Sequence, residues 1–268
     1  MRIAANLGPT GDWRSVLEGA RRAEEAGFEA VSLLDHYHSE RPDWGYLSGW
    51  ALFGALAMAT SRIKLVPMVV DRMNYLPGVL AKETSVLSII SDGRFELGIG
   101  AGDFLAEQRA WGLDVPGAGE RISTLRETVL ALRQVWGGGK VTIDGTFLRL
   151  RDAACTPPPP IPPRVVVGAG RSRTLIRSAA RYADEVNVYA VDELVQLASR
   201  EIEASGRNVA LSVYVWDWPD RIEERLVGWA RSGVARVFLT FWPPYDQMDG
   251  AHELLAGVAA ADAGSGDL

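Results

Sequence analysis

Short runs rich in Val and Ile alternate along this chain with amphipathic stretches long enough to be helices. That alternation restricts the fold more than any other property of the sequence. The runs cover 3–7, 30–34, 63–69, 95–99, 164–167, 185–188, 210–215 and 235–241. Their near-continuous apolar character predicts strands buried on both faces, as in a parallel sheet. Helices are expected over 12–26, 46–60, 77–91, 120–136, 172–182, 192–204, 219–232 and 252–261. Asp12 is the expected N-cap of the first helix and Gly27 its stop, and Pro77 opens the third. Eight strands alternating with eight helices in 268 residues predict a (β/α)8 barrel, an α/β TIM fold. An open doubly wound sheet shares the alternation, because periodicity does not report closure. The count of eight, with no second composition zone and no linker, favours one barrel domain over 1–268.

Composition removes several function classes. Hydrophobic residues make up 47% and charged residues 23%, which excludes wholesale disorder and supplies a sizeable core. Lys plus Arg is 28 against 34 Asp plus Glu, a formal charge of −6. Neither nucleic acid nor an anionic membrane surface is an expected partner. One cysteine, Cys155, excludes an intrachain disulfide and a Cys-rich metal site. The opening residues turn polar too soon for a signal peptide, and the longest apolar run, 51–59, is too short to span a bilayer. A cytoplasmic protein is expected.

One segment breaks the rhythm. Two β-prone runs within 140–150 flank Asp144-Gly145 and predict a hairpin with a two-residue turn. A polyproline stretch, 155–163, follows it. Lying inside a βα unit, it reads as an excursion that returns the chain to the bottom of the fifth strand.

In a barrel, function collects at the C-terminal ends of the strands. After the second strand stand Asp35, His36, Tyr37 and His38. An acid beside a histidine there suits acid–base work or hydrogen bonding; a metal reading lacks a further ligand at the right spacing. After the fourth strand come Gly98, Gly100, Ala101, Gly102 and Asp103, where glycine lets a flat ring lie against backbone, or simply permits close packing. After the fifth come Gly168, Ala169, Gly170, Arg171, Ser172, Arg173 and Thr174, opening a helix. Free amides, hydroxyls and two Arg there make an anion site suited to phosphate, or else a capped helix with solvated arginines. The seventh and eighth strands end in aromatics, Trp216, Trp218, Phe241, Trp242 and Tyr245, fit to line a pocket for a planar ligand or to pack in a core.

Several strings, taken in order, resemble the bacterial luciferase-like family of flavin and deazaflavin (β/α)8 oxidoreductases, and within it the coenzyme F420-dependent branch. They are AEEAGF at 23–28, Asp35-His36, LAKE at 80–83, SDGRFELGIGAG at 91–102, GER at 119–121, the Asp144-Gly145 hairpin, the Pro-rich run, VGAG at 167–170 and ARYAD at 180–184. The resemblance implies a deazaflavin, coenzyme F420, or alternatively FMN, in the barrel mouth with its phosphate at the loop after the fifth strand. It implies that His36 sits beside the ring and that Asp103 takes part in proton transfer, the two being the catalytic candidates. It implies a non-proline cis peptide backing the ring in a bulge on the third strand, placed at Met68–Val69. The cofactor-binding set is then Asp35, His36, Met68, Val69, Gly100, Ala101, Gly102, Gly168, Ala169, Gly170, Arg171 and Ser172, with no metal ligands. Arg171, Arg173 and Arg72 suit an anionic oligoglutamate tail.

The sequence departs from that family in three places. Residues 73–76 lack an Arg usual before the Pro that matches Pro77, Asp103 stands where an aromatic is common, and the stretch between the sixth and seventh strands is short. Three functions follow: an F420-dependent oxidoreductase acting on a small organic substrate, a reduced-FMN-dependent monooxygenase, and a cofactor-binding protein without turnover. The helix expected over 46–60 is apolar on nearly all sides, whereas an outer barrel helix needs one apolar face. As similar proteins dimerise through their second and third helices, a homodimer through those helices is expected.

Overall fold

The computed structural model describes residues 1–39, 41, 44–47, 49–251 and 254–257. The strands fall where the apolar runs predict them: β1 (Arg2–Leu7), β2 (Ala30–Leu33), β3 (Lys64–Pro67), β4 (Val70–Asp71) and β5 (Leu97–Gly100). After an outlying hairpin, β6 (Val141–Asp144) and β7 (Arg149–Ala153), the sheet resumes with β8 (Val165–Gly170), β9 (Glu185–Tyr189), β10 (Ala210–Val215) and β11 (Arg236–Phe241). Among the described residues the large sheet is parallel, in the order β3-β2-β1-β11-β10-β9-β8-β5-β4. β3 and β4 are one barrel strand interrupted at Met68–Val69, which is a non-proline cis peptide at the bond expected. The ring closes where the Leu65 amide donates to Arg94 O at 3.1 Å and the Glu96 amide to Leu65 O at 3.0 Å. The fold is the (β/α)8 barrel.

Helices α1 (Trp13–Ala26), α2 (Trp50–Ala59), α3 (Pro77–Ile90), α4 (Leu105–Ala110) and α5 (Ala118–Trp136) cover one side of the barrel. The other side carries α6 (Arg173–Ala179), α7 (Asp192–Ser205) and α8 (Ile222–Arg231). Asp12 caps α1 by accepting from the Arg14 amide, and Gly27 stops it at φ 91°, a conformation that costs glycine little. α4 was not expected, and α6 is seven residues, shorter than the predicted 172–182. Of the expected last helix, 252–261, residues 254–257 are helical and the rest lie outside the described residues.

The hairpin departs from expectation in its turn. Asp144 pairs with Arg149, so the loop has four residues, 145–148, rather than two. The Glu127 carboxylate on α5 accepts from the amides of Thr146, Phe147 and Leu148, and this outside acceptor organises the loop. The Pro-rich run is strapped along α3: Lys82 donates to Thr156 O, Ser85 to Pro157 O and Ser88 to Ile161 O. The strap leads to Arg164 and the start of β8, as the excursion reading requires.

Side chains alternate in and out along each strand and fill the barrel in layers. At the N-terminal end, Arg236 is 2% exposed and bonds Glu185 at 2.8 Å and Glu96 at 2.6 Å, while Lys64 bridges Glu29 and Glu96. Above this charged floor lie Ala4, Ala30, Val66, Val166 and Phe238. Next comes a polar layer: Asn6 donates to Tyr214 Oη at 2.9 Å and Thr240 Oγ1 at 3.2 Å, and accepts from Ser32 at 2.8 Å. The top layer of Leu34, Val69, Tyr189 and Trp216 is partly exposed and forms the bottom of the mouth.

Candidate active site at the barrel mouth

Close approach of the interrupted third strand, by backbone at Pro67 and by side chain at Val69, explains Gly98, Gly100 and Gly168 on the fourth and fifth barrel strands. A Cβ on Gly98 would lie 1.7 Å from Pro67 O, so β5 meets the interrupted strand with no room for a side chain. The Val69 side chain projects from the cis bond into the space that Cβ atoms on Gly100 and Gly168 would occupy, at 2.8 Å and 2.7 Å. Val69 and these two glycines form a low, smooth wall on the β4, β5 and β8 side of the mouth. Gly102, with φ 87°, takes the chain out of β5, and a Cβ there would meet Met73 and the Asp71 carboxylate. Ala101 and Ala169 are buried beside the wall and Met68 lies beneath it.

At the end of β2, Asp35 is buried and accepts from Tyr75 Oη at 2.9 Å. The neighbouring His36 is half-buried, with Nδ1 3.0 Å from Glu107 Oε2. Glu107 is 1% exposed and also accepts from the Tyr37 amide. Phe104 and Tyr46 flank the imidazole, their ring centroids 5.7 Å and 5.0 Å away. One carboxylate on α4 thus fixes both the ring and the backbone behind it. Asp103 is exposed on the loop between β5 and α4, and its charge is felt by Asp71 and Tyr189. The two catalytic candidates therefore share the mouth in different settings, His36 anchored and Asp103 open to solvent.

Asp71, on β4, was not singled out in the sequence. It is buried and accepts from Gln108 Nε2 at 2.5 Å and from the Met73 amide at 2.9 Å. Burial pushes its carboxyl up to about 6; the charges of Asp103 and Asp35 add to the shift, while the Met73 amide and Arg121 oppose it. Arg121 itself holds the glycine loop, donating to Ala101 O at 3.2 Å and Pro116 O at 2.7 Å.

The loop after β8 keeps part of its expected character. Gly170 has φ 54°, and the Ser172 hydroxyl caps α6 by accepting from the Leu175 amide. The exposed Arg171 places its guanidinium 5.1 Å from the Tyr189 ring centroid. Arg173 pairs with Glu193 at 3.0 Å, and Arg72 donates to Thr128 on α5. Of the three arginines suited to an anionic tail, Arg171 alone is engaged with no acidic or hydroxyl side chain in these contacts. Two further groups of functional interest, besides Asp71, escaped the sequence reading. Glu107 and Gln108 sit on a helix too short for periodicity to show, although an acid four residues beyond Asp103 was the available signal. Trp44 joins Trp216 and Trp242 from a loop without any regular pattern. Among the described residues no group of three His, Cys, Asp or Glu is arranged to hold a metal, and no helix is long and apolar enough to cross a membrane.

Comparison with known proteins places this site in context. Residues 1–235 match the family model described as luciferase-like monooxygenase. An F420-dependent glucose-6-phosphate dehydrogenase from Beutenbergia cavernae is 34% identical over 174 residues, 64% of this chain and 51% of that protein. One of the same description from Intrasporangium calvum is 30% identical over 272 residues, 97% of this chain and 79% of that protein. The chain thus spans about half the length of several curated relatives it matches. Among solved structures, an F420-dependent secondary alcohol dehydrogenase in complex with an F420-acetone adduct superposes with a TM-score of 0.82 at 18% identity, covering 96% of this chain and 99% of that one. A coenzyme F420-dependent tetrahydromethanopterin reductase from Methanopyrus kandleri gives 0.65 at 22% identity, covering 85% and 71%. By the family model, and by a relative 30% identical over 97% of this chain and 79% of its own length, the chain belongs to the luciferase-like monooxygenase family.

Proposed function

We propose that this protein is an F420-dependent oxidoreductase that moves a hydride between C5 of the deazaflavin and a small organic substrate. The observation that carries the reading is the wall of Val69, Gly100 and Gly168, where side-chain and backbone packing leaves a smooth surface of the kind a fused planar ring requires. The curated relatives named as F420-dependent dehydrogenases support the same cofactor. Gly100, Ala101 and Gly102 would lie along the ring, and the loop from Gly168 through Ala169, Gly170, Arg171 and Ser172 would face its anionic extension. Asp35 ties the end of β2 to the segment after β4 through Tyr75.

Bound F420 would supply two-electron hydride chemistry, and the chain must do the rest. A neutral His36 that donates Nδ1–H to Glu107 keeps Nε2 as an acceptor. In the oxidising direction the substrate carbinol gives up its C–H hydrogen with both bonding electrons, and its O–H proton passes to Nε2 of His36, leaving a carbonyl. The reverse direction returns both. We assign the proton to His36 rather than Asp103 because Glu107 holds the imidazole in one orientation, whereas Asp103 is solvated. A homodimer through α2 and α3 belongs to the same reading, supported by the exposed Met58, Leu76, Val79, Val86 and Ile90.

A fluorescence titration of the purified protein with F420, and in parallel with FMN, tests the cofactor. Saturable binding of F420 in preference to FMN is the expected result. Preference for FMN would replace the hydride-transfer reading with the monooxygenase one, and binding of neither would remove both.

A further inference from the structure

Three tryptophans from three separate loops meet on the side of the mouth opposite the glycine wall. Trp216 follows β10, Trp242 follows β11 and Trp44 comes from the segment between β2 and α2. Their ring centroids lie 5.6 Å (Trp44–Trp216), 5.4 Å (Trp44–Trp242) and 5.0 Å (Trp216–Trp242) apart. Each ring remains partly exposed. Trp242 also packs over the end of β1, where a Cβ on Gly8 would fall 2.9 Å from its Cε3. β1, β11 and β10 are consecutive in the sheet, and β8, β5 and β4 form its far end, so the two surfaces face each other across the barrel. Tyr214, whose ring stacks near Trp216 at 6.4 Å, and Tyr189, 5.8 Å further on, join them.

Charge at the mouth points the same way. Asp35, Asp71, Asp103 and Glu107 all lie on the His36 side of the mouth. Of the arginines at the mouth, Arg41 stands 4.2 Å over the Trp44 ring, Arg171 lies 5.1 Å over Tyr189 on the loop that would face the cofactor, and Arg121 donates to loop carbonyls. The three lysines of the chain lie elsewhere, Lys64 in the charged floor, Lys82 on the Pro-rich strap and Lys140 before β6. A substrate phosphate dianion beside His36 would meet these carboxylates, with Arg41 laid over an indole face and no lysine at the mouth. An uncharged apolar group would instead lose water against three indole faces.

We infer that Trp44, Trp216 and Trp242 form the substrate wall of this site, and that it takes an uncharged substrate with an apolar carbon skeleton rather than a phosphorylated sugar. This rests on the oxidoreductase reading for the site's chemistry, but the recognition itself is a property of the chain's own residues.

Titration calorimetry of the F420-loaded protein with 1-phenylethanol and with glucose 6-phosphate tests the inference. Saturable binding of 1-phenylethanol at least tenfold tighter than glucose 6-phosphate is expected. Trp216→Ala and the milder Trp242→Leu should each weaken 1-phenylethanol at least tenfold while the F420 Kd stays within twofold. A preference for glucose 6-phosphate, no saturable heat with 1-phenylethanol, or unchanged affinity in folded variants would overturn it. If F420 does not bind, the same titrations on the cofactor-free protein still decide the wall, and the oxidoreductase reading falls separately.

Discussion

Nδ1 of His36 lies 3.0 Å from Oε2 of Glu107, a carboxylate so buried that the imidazole is held from the protein side and can act only through Nε2. If this anchoring matters to proton transfer, Glu107→Gln lowers kcat by roughly 100-fold, the low end of what a positioned acid–base group contributes. The variant keeps an amide oxygen for the Tyr37 amide, so F420 affinity changes little. The check is non-additivity: the double variant with His36→Ala is no slower than His36→Ala alone. Additive losses would separate Glu107 from the histidine's role.

The contact between Val69 and Gly168 gives a second test. A methyl group on Gly168 would sit 2.7 Å from Val69 Cγ1, and overpacking of this kind costs about 1–3 kcal/mol. Gly168→Ala therefore lowers the melting temperature and weakens F420 at least tenfold. Val69→Ala added to it removes the obstructing methyls and restores much of both. A double variant as impaired as the single one would show that the wall acts otherwise.

Asp71 makes stability depend on pH in a predictable sense. Its folded-state pKa, about 6, lies above the ordinary 3.8, so the folded protein holds this proton more tightly than the unfolded chain. The stabilisation is complete below about pH 4 and is lost as pH rises through 6. At about 1.4 kcal/mol per pKa unit, the loss is at most about 3 kcal/mol. Asp71→Asn removes that dependence but weakens one accepted hydrogen bond, at about 1 kcal/mol. The melting temperature of the variant relative to the parent should rise between pH 4.5 and pH 7.5. A constant difference would mean that Asp71 does not titrate in this range.

The barrel was legible because each strand is short, apolar and followed by an amphipathic stretch with its own stop signals, such as Asp12 and Gly27 around α1. The inward polar residues Asn6, Ser32 and Thr240 did not disturb that reading, since each sits between apolar neighbours. What escaped depends on contacts distant in sequence. His36 and Glu107 are 71 residues apart, and α4 is six residues long, too short to show a helical repeat. The hairpin turn escaped for the same reason: Glu127, nearly twenty residues before the loop, supplies the acceptor that makes four residues fit where Asp144-Gly145 signalled two.

Arg236 closes the opposite end of the barrel and separates stability from function. It bonds Glu185 and Glu96, and all three side chains are at most 6% exposed. The two glutamates hold its charged state firmly, against the cost of burial. Arg236→Met leaves both carboxylates buried without that partner and costs about 3–5 kcal/mol. Denaturant unfolding should show the loss, while F420 affinity in the folded variant stays within twofold because the mouth is at the far end of the strands. An equal loss of cofactor affinity would mean that the charged floor shapes the mouth.

The α2–α3 surface tests assembly. Met58 is 77% exposed and Leu76 74%, and Val79, Val86 and Ile90 continue the apolar surface along α3. Ile90 packs against α2, its Cδ1 3.8 Å from where a Cβ on Gly54 would stand, so the two helices adjoin here. Exposed apolar side chains gathered on two adjoining helices suit an interface with a second copy of this chain. Light scattering of the parent should therefore give twice the chain mass. Met58→Glu with Val79→Glu, two charges placed at solvent-facing positions, should give a single chain mass at unchanged F420 affinity, because neither residue is near the mouth wall. A parent that runs as a monomer would exclude this interface, and a variant that remains dimeric would move it to another face.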